Sequence, residues 1–535
     1  MFLRAEHTVD DGTPLGGHPE ILFRKKLDEP LPETLSVCLR HGPTITCDRH
    51  DSSTTERQSI EHVSRKTRNV EAELSSTSTL RKIGPFRFLL SAFHFLPSPL
   101  KCTGKLMIKV ELINTGSELL LGRTLNTHAQ WIARRLSDLG YTIIRQVSVP
   151  DTGESIETAV RDALGRADMV VTTGGLGPTS DDLTRDKVAR LLGRELVEDS
   201  DTLDRIERFF AQRKRPMPAS TRVQALVPVG AEILANDFGT APGLAIELFP
   251  NPMNAARSRG VLLMLPGPPR ELCPMFDQRL LPWLREHMPL DTEWACRILR
   301  TAGLGESYLE ELVAPPLREF VNRGLEIGYC AHVGQVDIRL SNQGAGSQRV
   351  VEEAVRVVRD VLGVWIFGEG DDSLEGVVLR ELRERGLKLA ISESCTGGLV
   401  ANRMTNTAGA SDVFGAGVVC YSNQAKTALL GVPKQLIEAH GAVSREVAAS
   451  MAEGARNRLG ADYGLALTGI AGPGGGTNEK PVGTLFLAVA SDLGTRVAKR
   501  FNPYDRKTFK EVSSTQALDL LRREILGCGW DEKTP

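Results

Sequence analysis

The feature that most restricts how this chain can fold is an alternation of strand-like and helix-like runs beginning at Met107. Strands are expected at 108–114, 141–149 and 168–173, with helices between them at 127–139 and 155–166. Apolar runs of strand length alternating with helices of this length predict a parallel sheet covered by helices on both faces. Ligands gather at the carboxyl ends of the strands in such sheets. Another buried strand is expected at 261–265. After it, Pro266-Gly-Pro-Pro-Arg-Glu271 opens a helix, with proline in a first turn where its missing N–H costs nothing.

A chain of 535 residues is too long for one core. The units expected are 107–290, a small α+β unit at 291–367 that reads as a spacer, a polar linker at 368–372, an α/β domain at 373–528 and a tail at 529–535. Residues 1–106 keep no sustained period, and 52–78 are mostly polar. This segment is expected to be a disordered extension, or else Met107 is the biological start. A net charge of -2 gives no reason to expect nucleic acid or an anionic membrane as a partner. None of the nine cysteines forms a C-x-x-C pair, so no zinc ribbon or disulfide framework is indicated and a cytoplasmic location is the default. No run approaches the roughly 20 apolar residues of a membrane span.

Two candidate loops follow strands of the first domain. Thr115-Gly-Ser-Glu-Leu-Leu-Leu-Gly122 brings Gly116 and Glu118 to one strand end and closes on Asn126-Thr-His128. Thr173-Gly-Gly-Leu-Gly-Pro-Thr-Ser-Asp-Asp-Leu-Thr184 supplies Gly174, Gly175, Gly177 and Thr179, and its glycines let backbone approach an anion closely. Asp181 and Asp182 are placed to hold a divalent cation against a diphosphate. Either loop alone could simply cap a helix.

The last domain is organised around Ile391-Ser-Glu-Ser-Cys-Thr-Gly-Gly-Leu399, between a short strand at 387–391 and a helix at 399–406. A strand-to-helix turn exposes backbone N–H groups that can bind phosphate or an oxyanion. Ser394 there is a candidate nucleophile. Capping alone would also account for these hydroxyls. Downstream, Tyr421-Ser-Asn-Gln-Ala-Lys426 can turn a phenol and an amine toward the same opening. Ala466-Leu-Thr-Gly-Ile-Ala-Gly-Pro-Gly-Gly-Gly476 makes a phosphate cradle containing Thr468, Gly469 and Gly472, and Arg506 can clamp the same phosphate.

The Glu393-Ser-Cys-Thr-Gly-Gly398, Tyr421-Ser-Asn-x-x-Lys426, Gly441-Ala-Val-Ser444 and Thr468-Gly-Ile-Ala-Gly-Pro-Gly-Gly-Gly476 motifs resemble the nicotinamide mononucleotide deamidase domain of the competence/damage-inducible CinA family. The two loops of the first domain resemble that family's amino-terminal domain, which is similar to molybdopterin-binding proteins. The resemblance covers about 107–526. It implies an α/β protein with an amino-terminal parallel-sheet molybdopterin-binding-like domain, a small α+β middle domain and a carboxy-terminal α/β deamidase domain. It further implies two hydrolases in one chain. One converts nicotinamide mononucleotide to nicotinic acid mononucleotide and ammonia. The other splits ADP-ribose to AMP and ribose 5-phosphate with a divalent metal (Mg, Mn or Co), the deamidase needing none.

Under this reading Ser394 attacks the carboxamide and Lys426 is its base. A free lysine titrates near about 10.4, so burial or neighbouring positive charge must lower it. Failing that, Tyr421 relays the proton or Lys426 only fixes the oxyanion. Thr396, Gly397, Gly398, Ser411 and Thr468 are candidates for oxyanion and substrate contacts. Cys395 is intrinsically the better nucleophile but should point away from Ser394. Asn126-Thr-His128 departs from the family's Asp-Thr-Asn and removes one possible metal carboxylate. Tyr504 stands in place of a glycine, and Lys510 in place of an arginine. Small-molecule nucleotides are the expected partners, no membrane or nucleic acid is, and a homodimer is the expected assembly. A non-catalytic nucleotide- or pterin-binding protein of competence or DNA-damage response is the alternative, and adenylyl transfer to molybdopterin is a second.

Overall fold

The computed structural model describes residues 107–254 and 258–530. The expectation for 1–106 lies outside the described residues. The first sheet has the order β2-β1-β3-β8-β7-β6. It is built from β1 (Lys109–Thr115), β2 (Thr142–Val149), β3 (Met169–Thr173), β6 (Glu232–Leu234), β7 (Gly243–Leu248) and β8 (Gly260–Leu265), while β4 (Leu196–Glu198) and β5 (Leu226–Pro228) form a separate ribbon. Strands β2, β1, β3 and β8 are parallel, as the alternation predicts, but β7 and β6 add an antiparallel edge. The sheet is therefore mixed. All six residues of β8 are buried, because α1 (Thr127–Asp138) and α2 (Gly153–Arg166) belong to layers that cover both faces.

The middle unit is an antiparallel sheet of order β10-β11-β9-β12, from β9 (Trp294–Ala302), β10 (Glu326–His332), β11 (Gln335–Gln343) and β12 (Ile366–Glu369). Helix α3 (Ser347–Leu362) covers it, turning Val350, Val351, Ala354, Val358 and Leu362 inward at helical spacing. The first two residues of the expected linker, Gly368 and Glu369, are in fact part of β12, paired with β9. Asp371 of the remainder pairs with Arg134 and Arg135 of α1.

The last domain has the order β14-β13-β15-β16-β17, from β13 (Leu389–Glu393), β14 (Phe414–Val419), β15 (Tyr463–Gly469), β16 (Thr484–Ser491) and β17 (Gly494–Phe501). Strands β14, β13 and β15 run parallel, and β16 and β17 run antiparallel. Helix α4 (Arg506–Ile525) is buried along most of its length, capped by Asp505, whose carboxylate accepts from Lys507 and Thr508 N–H. Inside it Asp519 pairs with Arg522 at 2.7 Å and Arg523 at 2.8 Å, all three buried. Arg522 donates to the Val364 carbonyl, and Arg523 lies over the Trp365 ring, so this ionic cluster holds the middle unit. No helix of the described residues is long and apolar enough to cross a membrane.

Candidate functional site

Parallel register sets the geometry of the last domain. Glu393 pairs with Val419 on one side and Leu467 on the other, so Ser394, Cys420 and Thr468 stand at the same level of three adjacent chain segments. The Ser394 amide donates to the Leu467 carbonyl at 3.0 Å, and the Cys420 amide to the Glu393 carbonyl at 2.8 Å. The helix Asn423–Leu430, capped by Ser422, then returns Lys426 to the strand ends. Its Nζ lies 3.0 Å from Ser394 Oγ, 2.9 Å from the Cys420 carbonyl and 3.4 Å from the Tyr421 carbonyl. Lys426 is only 1% exposed. Burial lowers its pKa, against a smaller opposing effect from Cys420 and Cys395.

An ammonium needs three acceptors; a neutral amine has two N–H donors and a lone pair. Two carbonyls and one hydroxyl surround Nζ, a set that serves an ammonium as three acceptors and a neutral amine as two acceptors and a hydroxyl that donates to its lone pair. Cys395 is no competitor, since burial pushes its thiol up to about 12.

The amides at this turn do not stand open as expected. The buried Glu393 carboxylate accepts from Gly398 N at 2.9 Å, Val400 N at 3.2 Å and Ala401 N at 2.8 Å, and Gly397 N donates to the Ser394 carbonyl. The protein's own carboxylate thus fills the anion site of the helix Leu399–Thr405. Sequence reasoning missed this role. The available signal was an acidic residue directly before the serine, a short turn ahead of the helix. Gly398 caps that helix at φ +93°, a conformation that glycine adopts without strain.

Other expected residues fall into place unequally. Thr396 is fully buried and its hydroxyl has no hydrogen-bond partner among the described residues. Thr468 Oγ1 donates to the Ala442 carbonyl at 2.8 Å, which ties β15 to the Gly441–Ser444 turn. Arg506 bridges the glycine loop and the strand end, donating to the Gly472 carbonyl at 2.9 Å and the Tyr421 phenol at 2.8 Å. Of Tyr421, Lys426 meets the carbonyl alone, while the phenol is bonded to Arg506 and not to Lys426. Ser411 is a correction. It precedes β14, whose first residue pairs with Leu389 at the start of β13, whereas Ser394 follows the end of β13. Five residues of strand separate them, roughly 16 Å.

In the first domain both expected loops and the Pro266–Pro269 turn line one cleft of about 550 Å³. Gly116, Glu118, His128, Gly174, Gly175, Gly177, Asp181 and Asp182 all face it. Gly175 sits at φ +66°, where a Cβ would lie 2.1 Å from Thr184 Oγ1. The Thr179 hydroxyl lies 2.5 Å from Asp181 Oδ1 and 2.6 Å from Asp182 Oδ2, holding the two carboxylates side by side. That bond lowers the Asp181 pKa. Asn126 caps α1 rather than turning into the cleft, and burial lowers the His128 pKa against the opposing charge of Glu118. Two adjacent carboxylates fit a hard divalent cation that completes its shell with water or phosphate oxygens.

Fold and sites define a multidomain α/β protein with one chemistry-bearing cluster at parallel strand ends in each of its two larger domains. Residues 371–525 match the family described as "CinA C-terminal domain", 111–286 "Probable molybdopterin binding domain" and 296–368 "Damage-inducible protein CinA KH domain". A CinA-like protein of Akkermansia muciniphila is 43% identical over 412 residues, covering 77% of this chain and 96% of the relative. One of Gemmatimonas aurantiaca is 42% identical over 419 residues, covering 77% and 96%. The crystal structure of competence/damage inducible protein CihA from Agrobacterium tumefaciens is 40% identical, covering 28% of this chain and 91% of that one, with a TM-score of 0.27. The chain belongs to the CinA family. The membership is consistent with an enzyme and with a role connected to pyridine nucleotides. The KH assignment of the middle unit was not anticipated from its residues.

Proposed function

We propose that the last domain hydrolyses the carboxamide of nicotinamide mononucleotide to nicotinic acid mononucleotide and ammonia. The observation that carries this reading is the 3.0 Å approach of Lys426 Nζ to Ser394 Oγ at a buried strand end. Neutral Lys426 takes the hydroxyl proton as Ser394 Oγ attacks the carboxamide carbon. The C–N bond then breaks, and ammonia leaves with the proton that Lys426 returns. Water attacks the acyl-serine, again losing a proton to Lys426, and the ester C–O bond breaks to release the acid and restore the hydroxyl. The amides left over by Glu393 and the Ser394 carbonyl, those of Cys395 and Thr396, are the candidates for the oxyanion. The unpaired Thr396 hydroxyl is a contact for the carboxamide, and Arg506 with the glycine loop takes the phosphate.

We further propose that the first domain cleaves ADP-ribose to AMP and ribose 5-phosphate. A divalent cation (Mg, Mn or Co) held by Asp181 and Asp182 would neutralise the diphosphate there. Gly174, Gly175 and Gly177 let backbone approach that group, while Glu118 and His128 face it from the opposite loop.

The test is ammonia release from nicotinamide mononucleotide, and AMP release from ADP-ribose with and without metal, by the full chain. Ser394→Ala should abolish the first and spare the second. A folded Ser394→Ala protein with undiminished ammonia release would refute the nucleophile assignment. No release of either product by the wild type would favour a binding protein.

A further inference from the structure

Three side chains that neither site uses converge at the antiparallel edge of the first sheet. Glu232 opens β6, Glu247 lies in β7, and His287 ends the helix Leu281–His287. One ligand atom from each lies within 4.8 Å of the other two. Glu232 is opposite Ala245, so it shares a sheet face with Glu247 two residues on. Glu247 pairs with Val261 near the start of β8, whereas the cleft loops follow its end. The cluster is therefore remote from the cleft along the strand.

Each of the three is held by one atom and offers another. His287 Nδ1 is 3.0 Å from the Trp283 carbonyl, which can only accept, so Nδ1 carries a proton and Nε2 of the neutral ring presents its lone pair. The Trp283 ring stacks on this imidazole at 4.4 Å and 9°, fixing its plane. Trp283 Nε1 donates to Glu232 Oε2 at 3.0 Å, leaving Oε1 at 3.5 Å from His287 Nε2. Arg259 donates to Glu247 Oε1 at 2.8 Å. Such outer contacts are what orient the ligands of a metal centre. The separation of 3.5 Å is long for a charge-assisted hydrogen bond, normally about 2.7–2.9 Å. Two ligands at about 2.0–2.1 Å from a tetrahedral ion stand about 3.4 Å apart.

We propose that Glu232, Glu247 and His287 form a binding site for a divalent transition metal ion, zinc by its ligand types, that staples the antiparallel sheet edge to the helix ending at His287. Imidazole with two carboxylates is a zinc-type donor set, with a fourth position left for water. With Arg259 the cluster carries a net charge of about -1, which a divalent cation reverses rather than compounds.

The test is titration of the metal-free full chain with zinc against a chromophoric chelator, comparing wild type with His287→Gln and Glu247→Gln. The wild type should bind one zinc ion per chain more than either variant, and zinc should raise its unfolding midpoint but not theirs. Trp283→Phe keeps all three ligands and should retain the ion with about 10- to 100-fold weaker affinity. Equal zinc binding and equal zinc-induced shifts in wild type and Glu247→Gln would overturn the site. Glu247 is partly exposed, so that comparison stands even if His287→Gln fails to fold.

Discussion

Arg506 ties the Tyr421 phenol, at 2.8 Å, to the Gly472 carbonyl, at 2.9 Å, so one guanidinium joins the segment after β14 to the glycine loop after β15. Tyr421→Phe removes one of these bonds and leaves Lys426 untouched. The expected result is a rise in KM for nicotinamide mononucleotide with kcat changed less than about tenfold, since one hydrogen bond to a charged group is at stake. Steady-state kinetics decide. A fall in kcat of several orders of magnitude at constant KM would instead make the phenol a proton relay.

Lys426 predicts a pH dependence of definite sign. Its folded pKa is lowered below the ordinary 10.5 by burial. Ammonia release should therefore rise through an ionisation below 10.5 and then level off. Stability follows the same sign. Between the folded and unfolded pKa the unfolded chain binds more protons, so wild type gains stability as pH rises through that window. Lys426→Met should lose this pH-dependent gain, measured as the difference in unfolding midpoint between the two proteins from neutral pH upward, and should also lose ammonia release.

Glu393→Gln tests the carboxylate that caps the Ser394 turn. It is 1% exposed and accepts three backbone N–H bonds. An amide cannot accept at both ends, so denaturant unfolding should show a loss of about 2–3 kcal/mol, and ammonia release should fall with it.

Gly175→Ala separates the two domains' chemistry. A Cβ there meets Thr184 Oγ1 at 2.1 Å and the backbone is at φ +66°. A cost of at least about 1–2 kcal/mol is expected, with AMP release lost and ammonia release kept.

Asp519→Asn leaves two buried guanidinium groups without their carboxylate. Removing one partner of a buried ionic cluster costs about 3–5 kcal/mol, read by denaturant unfolding.

The alternation from Met107 was legible because period and length are local properties, and it placed both loops of the first-domain cleft at strand ends. Ser394 and Lys426 were also legible together, since each follows a strand of the same parallel set. The antiparallel pair β6 and β7 was not, because Glu232–Leu234 is too short to carry a period. Ser411 was misplaced because nearness in sequence hides strand polarity: one connection separates it from Ser394, yet the chain must return to the opposite end to start β14 in parallel. Glu393 was hidden for another reason. Its role depends on the chain curling back through Gly397 and Gly398 to present amides to a side chain that precedes them.

The long helix α4 carries Arg506 at its first residue and Asp519 thirteen positions later, about 20 Å along the axis. The far portion is gripped by Trp365 and Val364 through Arg523 and Arg522. Over that length a tilt of about 5° pivoting at Asp519 would swing the guanidinium through roughly 1.7 Å, more than half a hydrogen-bond length. A substitution that tilts the KH unit is thus expected to stretch the bonds that Arg506 makes to Tyr421 and Gly472 at the opposite end of the rod.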